Sequence, residues 1–241
     1  MDIDVQMYSL RKVIPKEGLR RTLQAIRRSG FDGIEPVCDD YGLGYKEAGR
    51  LMRENGLTAH SMHIAGETLR QKDELAKLQD AFGFTTAVIP WVSEENFFND
   101  DYMQEFLSVA ARNAQSLGLT LAYHNHAHEL ARKGVLAGLP DRFPAVRLQP
   151  DVFWLKAAGY APIAFLRENA SKIACVHMKE MGRTKDDPAP VTGSGTTGAA
   201  AIVRFAAEKR HSHIVLEYEQ ADRDELEYIT ASCAYIREVL R

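Results

Sequence analysis

Leu119-Thr120-Leu121-Ala122-Tyr123-His124-Asn125-His126-Ala127-His128-Glu129 joins an apolar run to three imidazoles and a carboxylate. Residues 119–123 read as a buried strand, and the polar cluster begins where that strand should end. Burying imidazoles and carboxylates without partners is costly. A dense His/Glu cluster at the C-terminal end of a strand therefore points to a site that binds metal or moves protons. The plainer alternative is an exposed loop that happens to be rich in histidine.

The same unit recurs on both sides of this stretch. The strand is preceded by an amphipathic segment, 101–117, closed by Gly118. Toward the N-terminus, strands are expected at 5–10, 33–37, 57–64 and 86–91. The helices between them are expected at 16–29, 45–55 and 68–82, each stopped by a glycine (Gly30, Gly56, Gly83). In the first helix Leu19, Leu23 and Ile26 fall at helical spacing. The fifth strand is expected over 119–126. Toward the C-terminus, strands are expected at 146–150, 173–178 and 214–218, with helices at 135–143, 162–169, 199–209 and 224–240. Eight strands, each followed by a helix, predict an α/β fold: a single (β/α)8 TIM barrel spanning residues 1–241, with its chemistry at the C-terminal ends of the strands. A doubly wound open sheet is the structural alternative. The first turn, Ser9-Leu10-Arg11-Lys12, carries no Gly-x-Gly-x-x-Gly, so nothing supports a dinucleotide fold. No Pro/Ser-rich linker or sequence-level repeat divides the chain.

Bulk properties narrow the function classes. The 241 residues are 45% hydrophobic, enough for a sizeable core, and the formal net charge is -3. No basic excess favours nucleic acid or an anionic membrane. No apolar run reaches transmembrane length, and the acidic start Met1-Asp2-Ile3-Asp4 does not read as a secretory signal. Cys38, Cys175 and Cys233 are scattered and odd in number, which argues for a reducing cytoplasm and for core filling.

The strand ends carry a non-random set of polar residues: Glu35 on the second strand, His60 and His63 on the third, Pro90-Trp91 on the fourth, and the cluster through Glu129 on the fifth. The sixth ends Pro150-Asp151-Val152-Phe153-Trp154, the seventh carries His177 and Lys179-Glu180, and the eighth carries Glu217 and Glu219. Glu129, Asp151, His177 and Glu217 thus come one from each of four consecutive strands. Three carboxylates converging without a cation would repel one another, so the set suits one divalent metal. Oxygen-rich ligation with one imidazole favours Mn²⁺, with Mg²⁺, Co²⁺ and Zn²⁺ as alternatives. Taken singly, Asp151 could instead be a helix cap, His177 a satisfied core histidine, and Glu217 a salt-bridge partner of Lys179.

Taken in order, these motifs resemble the sugar phosphate isomerase/epimerase superfamily with a xylose-isomerase-like TIM barrel. The resemblance rests on Val5-Gln6-Met7-Tyr8-Ser9-Leu10-Arg11, Gly33-Ile34-Glu35, Pro90-Trp91 and Tyr123-His124-Asn125-His126 followed by a glutamate. It continues through Asp151-x-x-Trp154, His177-x-Lys179 and Glu217, and so covers essentially the whole chain. It implies metal ligands at Glu129, Asp151, His177 and Glu217. At the strand 5 position many members carry a glutamate within the strand, where this chain has His124. Relatives also usually carry an aspartate and an aromatic where this chain has Ala127-His128, and an aspartate where it has Glu180. Thr192-Gly193-Ser194-Gly195 stands in place of a Gly-x-Gly segment near the site.

The implied activity is metal-dependent isomerisation or epimerisation of a small keto-sugar, by proton abstraction next to a carbonyl through a metal-stabilised enediolate. A lyase or dehydratase acting on a keto-sugar, keto-glycoside or keto-inositol is the alternative. Glu129 and Glu217 are the candidate base and acid, with His126 and Lys179 as the alternatives. His63 and His124 are expected to bind substrate hydroxyls, together with His60, and Glu35 either to bind one or only to orient Arg11. Trp154 and Trp91 are expected either to pack on a sugar face or to pack within the barrel. An apurinic-endonuclease-like activity would need more metal ligands and a basic surface, which a charge of -3 disfavours. A non-catalytic sugar-binding barrel is the non-enzyme alternative. The expected partner is a small-molecule sugar, with no nucleic acid and no membrane, and a homo-oligomeric state is left open.

Overall fold

The computed structural model describes residues 1–219 and 223–241. Eight parallel strands run as β1 (Asp2–Gln6), β2 (Gly33–Glu35), β3 (Ser61–His63), β4 (Thr86–Ile89), β5 (Thr120–His124), β6 (Val146–Gln149), β7 (Val176–Met178) and β8 (His213–Leu216). They pair as two ladders, β2-β1-β8-β7 and β3-β4-β5-β6. The ladders meet at two seams. At one, Gly33 bridges Thr58 and Val37 bridges His63; at the other, Leu148 bridges Ile173 and Asp151 bridges His177. Backbone bonds cross both seams, with the His63 N–H donating to Pro36 O at 2.9 Å and the His177 N–H to Pro150 O at 3.0 Å. The strands thus follow one another around a ring, and the chain is a (β/α)8 barrel. Between them run the helices Leu19–Arg28, Tyr45–Glu54, Lys72–Phe82, Asp100–Ser116, Val135–Arg142, Pro162–Glu168 and Ala199–Glu208, and Glu225–Val239 follows β8. Parallel strands require such crossovers, and the helices cover the outer face of the ring. No helix is long and apolar enough to cross a membrane among the described residues.

Among the boundaries that differ from the sequence expectation, four shape the fold most. Residues 7–10, expected as strand, form a 3-10 turn (Met7–Leu10) capped by the Gln6 side chain, and β1 begins earlier, at Asp2. Met7 and Leu10 are both buried at a spacing of three, which a short apolar run does not distinguish from strand. The first helix breaks at Gly18, whose φ of 78° a helix cannot continue. The third helix is divided into Gly66–Leu69 and Lys72–Phe82. The third strand keeps its ladder only over Ser61–His63, with Thr58 pairing separately.

Strand alternation sorts the residues into two chemically different layers. Val5, Ile34, Met62, Ile89, Leu121, Tyr123, Leu148, Val176, Met178 and Leu216 join the helix side chains in one apolar cluster. The alternating positions turn to the barrel interior, and toward the C-terminal end they are polar: Gln6, Glu35, His63, His124, Gln149, His177 and Glu217, each at most 9% exposed. Of the strand aliphatics, Leu121 and Val176 belong to the outer apolar layer, whereas Val88 and Val215, also buried, stand outside that cluster. The interior of this barrel is therefore a hydrogen-bonded polar stack. Such a stack is tolerable only where its members satisfy one another.

Candidate metal centre and catalytic cavity

Glu35, at the end of β2, is the hub of that stack. It is fully buried. Its Oε2 accepts from Gln6 Nε2 at 2.6 Å and from His177 Nε2 at 2.6 Å, and its Oε1 accepts from Gln149 Nε2 at 2.7 Å and from the Ser61 hydroxyl. His63 Nε2 lies 3.1 Å from Oε2. Burial alone would raise this carboxyl. The nearby His63 and His177 and the hydrogen bonds outweigh it and hold the group well below the usual carboxylate range. Glu35 has no surface left for a substrate hydroxyl. Its oxygens are taken instead by Gln6, His177, Gln149 and Ser61.

Above Glu35, His124, Asp151, His177 and Glu217 each bring one donor atom within 4.8 Å of all the others. His177 Nδ1 lies 3.1 Å from Glu217 Oε2, and His124 Nε2 lies 3.9 Å from Asp151 Oδ2. Asp151 does two jobs. Its Oδ1 caps the helix Val152–Ala157 by accepting from Phe153 N at 2.8 Å and Trp154 N at 3.3 Å. Its Oδ2 is buried and has no partner among the described residues. Burial pushes Asp151 up to about 7, against the pull of Lys179. Burial also disfavours charge on Glu217 and His177. Lys179 and His177 nevertheless hold Glu217 at about 2, and Glu35 and Glu217 raise His177 to about 10. An orphaned oxygen, a carboxylate and two imidazole nitrogens within one small sphere fit a divalent cation. His63, His124 and His177 form an adjoining triple, with His63 stacked on His177 at 5.1 Å.

Glu129 is not in this cluster. Beyond β5 the chain turns into the 3-10 segment His128–Leu130. The Glu129 carboxylate folds back to accept from the Tyr123 hydroxyl at 2.9 Å and from His126 N at 2.8 Å. Tyr123 belongs to the outer apolar layer, against Phe97, so Glu129 lies on the far side of the strand. His124, expected to bind a hydroxyl, occupies the place expected for Glu129. His60 is also displaced from its expected position. It sits at the N-terminal end of β3, where Nδ1 meets Asp4 Oδ2 at 2.9 Å and its ring stacks on His213 at 4.9 Å.

A cavity of about 360 Å³ opens above the cluster; Gln6, His63, His124, His126, Glu217 and Glu219 supply its polar wall. Tyr8 and Trp91 form its apolar rim, 45% and 57% exposed. His126 Nδ1 and Trp154 Nε1 are buried without partners among the described residues, and their rings lie 5.7 Å apart. Burial and Lys179 lower His126 to about 4, so this imidazole is neutral. Lys179 sits 5.1 Å over the Trp154 ring and is ion-paired to Glu219. Burial would discharge it, but Glu217, Asp151 and Glu219 raise it further, so it keeps its charge near neutral pH. A larger groove, about 510 Å³, lies outside the barrel along the helix Leu19–Arg28 and contains none of these groups.

Glu180 holds the neighbouring loop. It accepts from Gly193 N at 2.9 Å, Thr197 N at 3.1 Å and the Thr197 hydroxyl at 2.6 Å. A Cβ at Gly195 would collide with that carboxylate, so only glycine fits there. The Thr192–Gly195 segment is thus clasped from beneath.

The family model of the xylose isomerase-like TIM barrel matches residues 23–239, and the chain belongs to that family. No curated protein sequence matches it. Solved structures share the fold at low identity. A sugar phosphate isomerase/epimerase from Parabacteroides distasonis superimposes with a TM-score of 0.74 at 18% identity, covering 97% of this chain and 93% of that one. The probable 3-DHS dehydratase AsbF from Bacillus anthracis gives 0.79 at 13%, covering 98% and 99%. D-allulose 3-epimerase from Methylomonas sp., in complex with D-allulose, gives 0.74 at 13%, covering 99% and 96%.

Proposed function

We propose that this protein is a divalent-metal-dependent enzyme that moves a proton next to the carbonyl of a small keto-sugar, as an isomerase or epimerase. The observation that carries the reading is Asp151 Oδ2, orphaned among the described residues and clustered with His124, His177 and Glu217, of which His124 and Glu217 line a sugar-sized cavity. His124, Asp151, His177 and Glu217 would hold the ion, with Glu35 behind His177 as its carboxylate support. When bound, the ion supplies Lewis acidity to a substrate carbonyl.

The chain's own residues do the rest. Glu217 and neutral His126 are the proton acceptors at the cavity wall, and the Lys179 ammonium is the donor. Return of the proton to the opposite face of the same carbon gives an epimer; return to the neighbouring carbon gives an isomer. The His126 ring lines the cavity, and its Nδ1, unpartnered among the described residues, is available to a substrate hydroxyl. A second reading is favoured by Lys179: a buried ammonium can protonate a departing hydroxyl, which would make the enzyme a dehydratase. The structural likeness to D-allulose 3-epimerase and to a probable dehydratase supports both branches as chemistry this fold performs.

Product analysis decides between them. The Mn²⁺-loaded protein would be incubated with free ketoses, their phosphate esters and keto-inositols. An isomeric product from the free ketose is expected. A product lacking water would establish the dehydratase, and no change in any member of the panel would overturn the proposal.

Proton linkage gives an independent prediction. In the metal-free protein His177 is raised to about 10 and Asp151 to about 7, so both are at least partly protonated at pH 7. A cation must displace the proton on His177 Nδ1 and the fraction carried by Asp151. Binding at pH 7 should release between one and two protons, and affinity should fall as pH drops. Calorimetry in buffers of different ionisation enthalpy checks this; no proton release would contradict it.

A further inference from the structure

Gln149 ends β6, wholly buried beneath the proposed metal centre. Its carboxamide has two kinds of neighbour. Nε2 donates to Glu35 Oε1 at 2.7 Å. A carboxylate at that position only accepts, so the amide nitrogen must face it and the amide oxygen must face away. That oxygen meets His63 Nε2 at 2.8 Å and His124 Nδ1 at 3.2 Å. Both imidazoles must donate to it. His124 therefore carries its proton on Nδ1, and Nε2, the atom turned toward Asp151 Oδ2, keeps a bare lone pair. The same Glu35 that fixes Gln149 also accepts from His177 Nε2, leaving His177 Nδ1 turned toward Glu217. One buried Gln–Glu frame thus sets the presenting nitrogen of both imidazoles.

We infer that Gln149 is a positioning residue that locks His124 as a neutral, Nε2-presenting donor, giving the centre two nitrogens and two carboxylates that select a first-row transition ion over Mg²⁺. Imidazole suits Co²⁺ and Zn²⁺ best, and Mn²⁺ accepts it more readily than Mg²⁺, which prefers oxygen and keeps its waters. Two carboxylates also balance the charge of one divalent ion in this buried place. The inference rests on reading the His124–Glu217 cluster as a metal centre.

The test is metal binding to the full-length protein stripped with chelator, titrated separately with Mn²⁺ and Mg²⁺. Wild type should bind Mn²⁺ at least about 100-fold more tightly than Mg²⁺, in line with imidazole preference. His124→Glu replaces a nitrogen with oxygen and should narrow that ratio at least about tenfold. Gln149→Leu frees the His124 tautomer and should weaken Mn²⁺ about 10- to 100-fold, the usual cost of removing a group that orients a ligand, with Mg²⁺ affected less. Visible absorption of bound Co²⁺ should shift in both variants, which loss of packing alone would not produce. If Gln149→Leu fails to fold, the His124→Glu ratio and spectrum decide. An unchanged Mn²⁺/Mg²⁺ ratio and Co²⁺ spectrum would overturn the inference and leave the centre standing. Wild type that binds no divalent ion would overturn both.

Discussion

Asp151→Asn or Glu217→Gln should lower the affinity for a divalent ion by at least about 100-fold, more than removal of a supporting group costs. Glu129→Gln should leave it nearly unchanged. The contrast follows from position. Asp151 Oδ2 and the Glu217 carboxylate belong to the buried cluster with His124 and His177. The Glu129 carboxylate is instead spent on Tyr123 and His126 N. Activity of the two cluster variants should fall by about a thousandfold or more, the scale of several kcal/mol of lost charge stabilisation. Their circular dichroism should stay that of the wild type, because the apolar layer outside the barrel is untouched. Metal analysis after dialysis reads the result. A variant of Glu129 that loses metal while Asp151→Asn keeps it would contradict the placement of the centre.

Glu35→Ala should cause the largest loss of stability of any single change in the site, about 3–5 kcal/mol, as expected when one partner of a buried charge pair is removed. It would leave the raised His177 without its carboxylate and release Gln6, Ser61 and Gln149 together. The pH dependence has a definite sign. The folded Glu35 carboxyl titrates below its ordinary value of 4.5. Its stabilisation is therefore present above that value and is lost as pH falls toward the folded value. The gap between wild type and Glu35→Ala should be full at pH 7 and should shrink on acidification below about 4.5. Urea unfolding of the chelator-stripped proteins measures it. A difference under about 1 kcal/mol at pH 7, the range of an ordinary neutral hydrogen bond, would show that Glu35 is not the hub.

Much of this was legible in the sequence, for identifiable reasons. Strict alternation of apolar runs with amphipathic segments fixes the barrel, and a barrel places its chemistry at the strand ends. The convergence of Asp151, His177 and Glu217 is legible because each stands at or next to the end of its strand, where distance along the sequence and distance in space agree. Glu129 stands outside the cluster because it lies five residues beyond His124, past the strand. There the pattern of the strand no longer dictates direction, and a local turn folded the side chain back onto Tyr123. Parity held the missing signal. Ala122 and His124 alternate with Leu121 and Tyr123, and only the latter pair belongs to the outer apolar layer. An imidazole on the inward phase at a strand end is a better candidate ligand than a carboxylate beyond it. The same phase would have drawn attention to Gln149, inward on β6, and to Gln6 on β1. His60 was misread because position within a strand mattered as well as residue type. It precedes Ser61, at the end of the barrel remote from the cavity. The partners of Glu35 come from β1, β3, β6 and β7, and no pattern within any one of these strands announces that convergence.

The most direct test of the account is solvent proton exchange, followed by NMR in D₂O, with a free ketose and the Mn²⁺-loaded protein. Deuterium should enter at the carbon next to the carbonyl. It should stop on chelation, return on adding Mn²⁺, and be abolished in Asp151→Asn. Exchange that continues undiminished in the chelated protein or in Asp151→Asn would contradict the account.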